Sequence, residues 1–284
     1  MSQQRPALPN ADSERTSAPK IVDSHCHLDF PDFEGELPAV VARAAAAGVT
    51  RMITICTRLS AEPTVRAIAE RFPGVFYAAG THPMRAAEEP MVTVEALTAL
   101  AGHPKFVGIG ETGLDYHYTA ESKPEQQESL RVHIEAARCT GLPLIIHARD
   151  ADDDMARILS EEHAAGPYSC VMHCFSSGPA LAETALGLGF YLSMSGIAAF
   201  KKSDALRAIF AAAPADRLLA ETDSPYLAPP PFRGKRCEPA YTALTVQTVA
   251  EALGKDPVAF ARQTTENFDR LFAKAAAAGE EAAA

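Results

Sequence analysis

A regular alternation of short apolar runs and longer amphipathic stretches extends from residue 21 to residue 223 of this 284-residue chain. Helical patterns fill the intervals between the runs, for example at residues 37–47, 94–101 and 125–140. Strands that alternate with helices predict an α/β fold, with a parallel sheet inside an outer layer of helices. The predicted strands are eight in number and lie at residues 21–27, 50–57, 75–82, 105–111, 143–147, 169–174, 189–193 and 217–223.

The number of repeats distinguishes between the two common folds of this class. Eight repeats over roughly 200 residues favour a (β/α)8 TIM barrel over an open, doubly wound sheet. An open sheet usually carries a glycine-rich phosphate turn after its first strand. Here the first run ends in His25, Cys26 and His27 instead. We therefore predict a TIM barrel.

The predicted barrel makes up one domain, residues 21–273, which ends in two extra helices at 239–253 and 256–273. Residues 1–20 are polar and rich in proline and serine, which predicts a disordered leader and not a signal peptide. Residues 274–284 form an alanine-rich tail that we expect to fray. No second domain is predicted.

Composition excludes several classes of protein. No apolar run reaches the roughly 18 residues that a membrane span needs. The six cysteines form no close C-x-x-C pair, so we expect reduced thiols and a cytoplasmic protein. Lys and Arg total 26 against 36 Asp and Glu, a formal charge of −10. A nucleic-acid partner would therefore need a local source of positive charge, which a bound metal ion supplies.

Metal-binding side chains stand at the ends of the predicted strands. They are His25 and His27 on the first strand, His82 on the third, Glu111 on the fourth, His147 on the fifth, His173 on the sixth and Asp223 on the eighth. The carboxyl ends of parallel barrel strands meet at one rim, where this fold builds its active sites. Chance would place about one of the nine histidines at such positions, and five stand there. We therefore predict that distant side chains converge on a metal site.

The donor types limit the choice of metal. Imidazole nitrogens suit Zn, Mn, Co or Ni, whereas oxygen ligands and water suit Mg or Mn. Six ligands are too many for one tetrahedral ion and enough for two. Side chains two apart on a strand share a face, so His25 and His27 can reach the same ion. The same parity turns Cys26 and Cys174 towards the helices, as small apolar residues.

Seven segments together resemble the TatD-type metal-dependent deoxyribonucleases, a family of amidohydrolase-like barrels. The resemblance extends from residue 21 to about residue 272. No single segment is specific for the family, but the seven together are. The segments are DSHCHLD at 23–29, GTHP at 80–83, GETGLDY at 110–116, IHAR at 146–149, HCFS at 173–176, ETDSPY at 221–226 and RGKRCEP at 233–239.

The resemblance implies a cytoplasmic phosphodiesterase that shortens DNA, as a 3′→5′ exonuclease on single-stranded ends. It also implies two divalent ions (Mg, Mn or Zn). No obligatory protein partner is evident from the sequence. Carried over by position, the ligands of one ion would be His25, His27, Glu111 and Asp223, and those of the other Glu111, His147 and His173. The sequence departs from the family pattern at Cys237 and in the segment 175–178. Because both lie in candidate substrate loops, they affect the expected substrate specificity more than the expected hydrolysis.

The mechanism that we hypothesise is attack on phosphorus by a hydroxide that bridges the ions. Asp223 and Glu111 are the predicted catalytic residues, and Asp223 would orient the hydroxide and accept its proton. The candidate substrate contacts are His82, Asp115, Tyr116, Arg149, Lys235 and Arg236, with Phe175 as a further residue that could stack on a base. Several of them have a purely structural alternative. Arg149 could pair with Asp150 or Asp115, Lys235 and Arg236 could be solvated, and the aromatic rings could be packed locally.

Two other functions remain open from sequence. The same metal centre could hydrolyse a small ester or amide, or the ester of a D-aminoacyl-tRNA. The chain could also be a non-catalytic nucleic-acid-binding protein on a decayed enzyme scaffold. The complete set of six ligand candidates argues against the second alternative, because decay usually removes some ligands.

Overall fold

Eight parallel strands, hydrogen-bonded in the order of the sequence, form the centre of the molecule. The computed structural model describes residues 19–281. A parallel bridge between Cys26 and Ser224 joins the eighth strand to the first, so the sheet closes into the predicted barrel. The strands are β1 Ile21–Cys26, β2 Val49–Cys56, β3 Val75–Ala79, β4 Phe106–Asp115, β5 Leu144–Arg149, β6 Cys170–Met172, β7 Tyr191–Met194 and β8 Leu218–Ala220.

Helices follow the strands and cover the outside of the barrel. Leu97, Ile134 and Ile158 are among the fully buried side chains that they pack against the outer face of the strands. The helices are α1 Leu37–Ala46, α2 Glu62–Arg71, α3 Val94–Leu100, α4 Lys123–Thr140, α5 Asp152–Ala165, α6 Pro179–Gly187, α7 Asp204–Ala212, α8 Thr242–Ala252, α9 Pro257–Leu271 and α10 Ala273–Glu281. None of the helices within residues 19–281 is long and apolar enough to cross a membrane.

The interior of the barrel is filled by alternate strand residues, and helix α9 closes one of its ends. Phe268 and Phe272 pack with the interior side chains of the strands, such as Val22 and Ile53. The Asn267 amide donates to the carbonyl of Leu218, at the start of β8, over 2.8 Å. These contacts place α9 across the amino-terminal ends of the strands, so the carboxyl ends remain open.

The described part of the alanine-rich tail is helical, in contrast to the expected fraying. Residues Ala273–Glu281 form α10. Ala275 is fully buried within the interior cluster, and Lys274 Nζ donates to the carbonyls of Ala101 and His103, both over 2.7 Å. An alanine-rich sequence therefore holds its helical form here because tertiary contacts anchor it. The predicted leader lies almost wholly outside the described residues, and the domain limits stay a prediction.

Strand β4 is longer than predicted, and two glycines allow its backbone to approach β5 closely. It continues four residues past Glu111, to Asp115. Gly110 and Gly113 have φ angles of +122° and +138°, which residues with a side chain rarely adopt. A Cβ atom on Gly113 would stand 2.0 Å from the carbonyl oxygen of His147. The glycines on both sides of Glu111 therefore let β4 run close against β5.

Candidate metal centre

A cavity of about 1360 Å³ opens at the carboxyl ends of the strands. It has the position at which TIM barrels build their active sites. The predicted site residues that line it are His27, His82, Glu111, Asp115, Tyr116, His147, Arg149, His173 and Asp223. His25 is fully buried beneath them.

Glu111 lies between two groups of imidazole nitrogens. Its Oε2 atom is 3.5 Å from His25 Nε2. Its Oε1 atom is 2.9 Å from His173 Nε2 and 3.2 Å from His147 Nδ1. The carboxylate thus presents one oxygen to each group, as a ligand shared by two ions must.

The first group consists of His25, His27 and Asp223. The Nε2 atoms of the two histidines are 3.3 Å apart, and Asp223 Oδ1 is 3.3 Å from His27 Nε2. The barrel closure brings these residues together, since the N–H of Asp223 donates to the carbonyl of His25 over 2.9 Å. Asp223 itself has a left-handed backbone, with φ at 59°. The donor atoms lie within 4.8 Å of one another, close enough to hold one metal ion.

The second group, His147 and His173, is held from behind by two carboxylates. The far nitrogen of His173, Nδ1, donates to Glu221 Oε1 over 3.0 Å. The far nitrogen of His147, Nε2, donates to Asp115 Oδ2 over 3.1 Å. A carboxylate on the far nitrogen fixes the tautomer of a histidine and leaves the near nitrogen free to bind a metal. Both near nitrogens face Glu111.

These contacts change the role of one residue and add another. Asp115, a predicted substrate contact, is only 1% exposed and holds His147 instead. Glu221 is fully buried and was not among the predicted site residues, although it belongs to the segment ETDSPY at 221–226. Its position directly after β8, two residues before Asp223, was the available signal.

His82 differs from the other histidines of the cavity in its tautomer. The backbone N–H of Met84 donates to His82 Nδ1 over 3.2 Å. Nδ1 must therefore be unprotonated, and in the neutral ring the proton is on Nε2. Nε2 lies 3.5 Å from Glu111 Oε1. An Nε2–H group is a hydrogen-bond donor and has no lone pair for a metal, so His82 fits a substrate contact better than a ligand.

The electrostatics of the centre keep its carboxylates ionised. Burial opposes the ionisation of Glu111, but the nearby imidazoles, with His173 foremost, outweigh it and hold the pKa of Glu111 well below its usual value. Burial likewise opposes the ionisation of Asp223, whose pKa is nonetheless lowered by a hydrogen bond from His27 and by the other imidazoles. The rings of His25 and His173 stack with their centroids 3.7 Å apart. Cations would compensate the charge of this buried set of donors.

Arg149 is the one predicted cation that the structure brings to the cavity. Its guanidinium lies over the ring of Tyr118, 4.8 Å from the centroid. The structural alternatives for Arg149 are not realised, since Asp150 pairs with His117 over 2.8 Å and Asp115 with His147. Arg149 is therefore available to a ligand at the mouth.

Lys235 and Arg236 are not brought to the cavity, contrary to the prediction. Within the described part of the chain, neither lines it. Arg236 donates instead to the carbonyl of Asp32 and, over 3.0 Å, to Glu36 Oε2. Lys235 is exposed in the same loop. Cys237 is fully buried nearby, whereas Ser176, one of the residues in the other departure from the family pattern, does line the cavity.

The aromatic side chains proposed for base stacking are engaged in packing. The Tyr116 hydroxyl donates to Asp154 Oδ2 over 2.9 Å, and Lys123 Nζ lies over its ring at 4.1 Å from the centroid. Phe175 is 3% exposed and packs in the outer core. The packing alternative is therefore the better description of both rings.

The parity argument holds for one cysteine and is wrong for the other. Cys26 is fully buried in the outer core, with Sγ 3.3 Å from the carbonyl oxygen of Ile53. Cys174 lines the cavity and its Sγ lies 3.1 Å from Ser195 Oγ. Strand β6 already ends at Met172, and Cys174 has a φ of 44°, so strand alternation does not reach it.

Comparison with known proteins agrees with this geometry. Residues 22–273 match the sequence model of the family described as TatD related DNase. The chain belongs to the TatD family. Its TatD-family relatives include the Escherichia coli K12 protein named uncharacterized metal-dependent hydrolase YcfH, which is 41% identical over 255 residues, 89% of this chain and 95% of that protein.

Two further TatD-family proteins extend the comparison. The protein of Cronobacter sakazakii named 3′-5′ ssDNA/RNA exonuclease TatD is 34% identical over 259 residues, 89% of this chain and 98% of that protein. The crystal structure of YJJV, a TatD homolog from Escherichia coli K12, superposes with a TM-score of 0.82 at 31% identity, over 89% of this chain and 98% of the other. This TatD-family chain is therefore a metal-dependent hydrolase on a TIM barrel.

Proposed function

We propose that this protein is a two-metal phosphodiesterase that removes nucleotides from the 3′ end of single-stranded DNA. One observation carries the proposal: the Glu111 carboxylate presents one oxygen to His25 and the other to His147 and His173. Such a shared carboxylate at the floor of an open cavity fits a pair of ions that act on one phosphate. The name of the Cronobacter sakazakii relative, a 3′-5′ ssDNA/RNA exonuclease, supports the choice of substrate.

The donor set fits two divalent cations. One would be held by His25, His27, Asp223 and Glu111, and the other by Glu111, His147 and His173. Four of the six side chains are imidazoles, which favours Zn or Mn over Mg. Bound ions of this kind lower the pKa of water and neutralise the charge of a phosphate.

The chain's own residues then divide the remaining work. Asp223 is ionised and lies at the edge of the cavity, where its carboxylate can accept the proton of the attacking water. His82 can donate its Nε2–H to a non-bridging phosphate oxygen. Arg149 can pair with a neighbouring phosphate through its planar guanidinium.

The charge of the molecule suits an enzyme that acts on ends. A formal charge of −10 disfavours retention on long duplexes, because non-specific DNA binding depends on basic side chains. Two divalent ions would place about four positive charges where the scissile phosphate lies. The attraction for DNA is then local to the cavity.

Asp223→Ala is the direct test of this mechanism. We expect turnover of a labelled single-stranded oligonucleotide to fall by about 10²- to 10⁴-fold, because a positioned proton acceptor is lost. Measured with a chelator present, so that the loss of a metal ligand does not contribute, the melting temperature should change little, since the side chain lies at the rim and outside the apolar core. Unaltered turnover would show that Asp223 has no catalytic role.

The choice of substrate needs a parallel assay. The purified protein, supplied in turn with Mg²⁺, Mn²⁺ and Zn²⁺, is given end-labelled single-stranded DNA, duplex DNA, RNA and a D-aminoacyl-tRNA. The Glu111→Gln variant, purified in the same way, is the control for a contaminating nuclease. We expect stepwise shortening from the 3′ end of single-stranded DNA. Release of the amino acid with intact DNA would assign the centre to the rival ester hydrolase.

A further inference from the structure

Two tyrosines at the mouth of the cavity are exposed to an extent that packing does not explain. Tyr118 is 56% exposed and Tyr226 is 53% exposed. Both line the cavity. Single exposed aromatic residues are common on protein surfaces, but two exposed rings that line the same cavity point to a ligand with flat apolar surfaces.

The two tyrosines stand on opposite walls of the barrel. Tyr226 follows β8, and its N–H donates to the carbonyl of Asp223 over 2.9 Å. Tyr118 follows β4, and its N–H donates to Asp115 Oδ1 over 2.8 Å. In a closed barrel of eight strands in sequence order, β8 and β1 lie across from β4 and β5. The two tyrosines therefore follow strands on opposite sides of the cavity that Glu111 also lines.

Each ring is linked to one half of the metal centre. Tyr226 contacts the edge of Phe30, with centroids 6.0 Å apart, and Phe30 stacks on His27 at 4.6 Å. On the other wall, the backbone of Tyr118 donates to Asp115, which holds His147, and the guanidinium of Arg149 lies over the Tyr118 ring. This arrangement holds Arg149 at the mouth, where a phosphate next to a stacked base would lie.

We propose that Tyr226 and Tyr118 are stacking platforms for the nucleobases on the two sides of the scissile phosphate. The proposal rests on the proposed function, because it needs a nucleic acid in the cavity. Stacking on aromatic rings tolerates any base and requires bases that are free of a duplex. The platforms would thus select single strands without reading sequence.

The test compares substrates that have and lack the stacked base. Metal-loaded wild-type enzyme, Tyr226→Ala, Tyr118→Ala and the two Tyr→Phe variants are assayed on single-stranded oligothymidylate. The second substrate is the same strand with one abasic unit next to the scissile phosphate, on either side in turn. The third, methyl p-nitrophenyl phosphate, has no base. Phe232→Ala is the matched control, since Phe232 is 37% exposed but stacks on Tyr241 at 4.6 Å and, among the described residues, is not one that lines the cavity.

We expect each Tyr→Ala variant to raise KM for the oligonucleotide by about 10- to 100-fold. This loss should exceed the loss on the small diester by at least about tenfold, with the Tyr→Phe variants and Phe232→Ala close to wild type. An abasic unit facing the altered tyrosine should add nothing to its effect, because the same stacking contact cannot be lost twice.

The outcomes separate this proposal from the one on which it rests. If wild-type enzyme shortens the oligonucleotide but the Tyr→Ala variants keep its KM, the stacking proposal is wrong and the nuclease remains. The stacking proposal is also wrong if the loss caused by an abasic unit adds in full to the loss of each Tyr→Ala variant, whichever side of the scissile phosphate the abasic unit is on. If wild-type enzyme leaves every oligonucleotide intact, the proposed function fails and takes the stacking proposal with it.

Discussion

At the scale of single residues, the hydrogen bond on the far side of each imidazole decides what its near side can do. Glu221 behind His173 and Asp115 behind His147 leave a free lone pair towards the centre. The N–H of Met84 behind His82 leaves a proton instead. Three histidines that look alike in the sequence thus become two candidate ligands and one candidate donor.

Glu221→Gln tests this positioning role. The variant keeps the size of the side chain but removes the charge that orients His173. We expect affinity for Mn²⁺ or Zn²⁺ to fall by about 10- to 100-fold, as is usual when such a partner is lost. The measurement is titration calorimetry, or competition with a chelator, and needs no turnover.

Glu238→Gln is the matched control for this experiment. Glu238 is also buried, but it pairs with Arg43 over 2.6 Å and does not line the cavity within the described residues. Equal metal affinity of the two variants would show that Glu221 has no specific role at the centre.

At the scale of elements, helix α4 holds the loop that carries His82. His133 is fully buried in α4, where its Nδ1 donates to the carbonyl of Ser129 over 2.7 Å. Its Nε2 accepts the backbone N–H of Thr81 over 3.0 Å. A helix on the outside of the barrel therefore fixes the backbone beside a residue of the cavity.

The same histidine makes stability depend on pH. Burial lowers the pKa of His133 to about 4, whereas an unfolded histidine titrates near 6.5. As the pH falls below 6.5, the unfolded chain takes up a proton that the folded chain refuses, so the free energy of unfolding falls. At pH 5 the contribution is a loss of about 2 kcal/mol relative to pH 7.5.

His133→Gln should remove this contribution, since the amide can accept from Thr81 but does not titrate. Urea unfolding of both proteins at pH 7.5 and pH 5, with chelator present, measures the difference. We expect the wild type to lose about 2 kcal/mol more than the variant between the two pH values. Equal losses would mean that His133 takes up a proton in the folded protein.

At the scale of the whole molecule, barrel closure makes the centre possible. Asp223 and His27 are about 200 positions apart in the chain and approach to 3.3 Å because the eighth strand lies beside the first. The same closure gathers six ionisable donors around a small volume. Such a cluster costs folding free energy unless its charges are compensated.

Removal of metal should therefore affect stability as well as activity. We expect a chelator to abolish turnover and to lower the melting temperature, and Mn²⁺ or Zn²⁺ to restore both. At a free ion concentration 100 times Kd, one site contributes about 2.7 kcal/mol. Scanning calorimetry with and without the ion measures the shift in melting temperature. The ion should raise the melting temperature of the Glu111→Gln variant much less than that of the wild type. If adding the ion does not change the melting temperature of the wild type, the proposed centre is contradicted.

Much of the fold and of the centre could be predicted from the sequence. The count and spacing of the apolar runs determined the barrel, because alternating strands and helices have few ways to bury their apolar faces. The same pattern placed His25, His27, Glu111, His147, His173 and Asp223 at the ends of predicted strands, although β4 continues four residues past Glu111. Their convergence then followed from the parallel arrangement of the strands.

Other features were decided only by the tertiary structure. Glu221 and Asp115 act through contacts with histidines on other strands, which no local pattern records. Cys174 lies beyond the end of β6, so strand alternation did not predict the direction of its side chain. Arg236 pairs with Glu36, which is distant in the sequence. The physical reason is common to all of them: strand periodicity determines which face a residue takes, but hydrogen bonds between loops depend on which strand ends become neighbours.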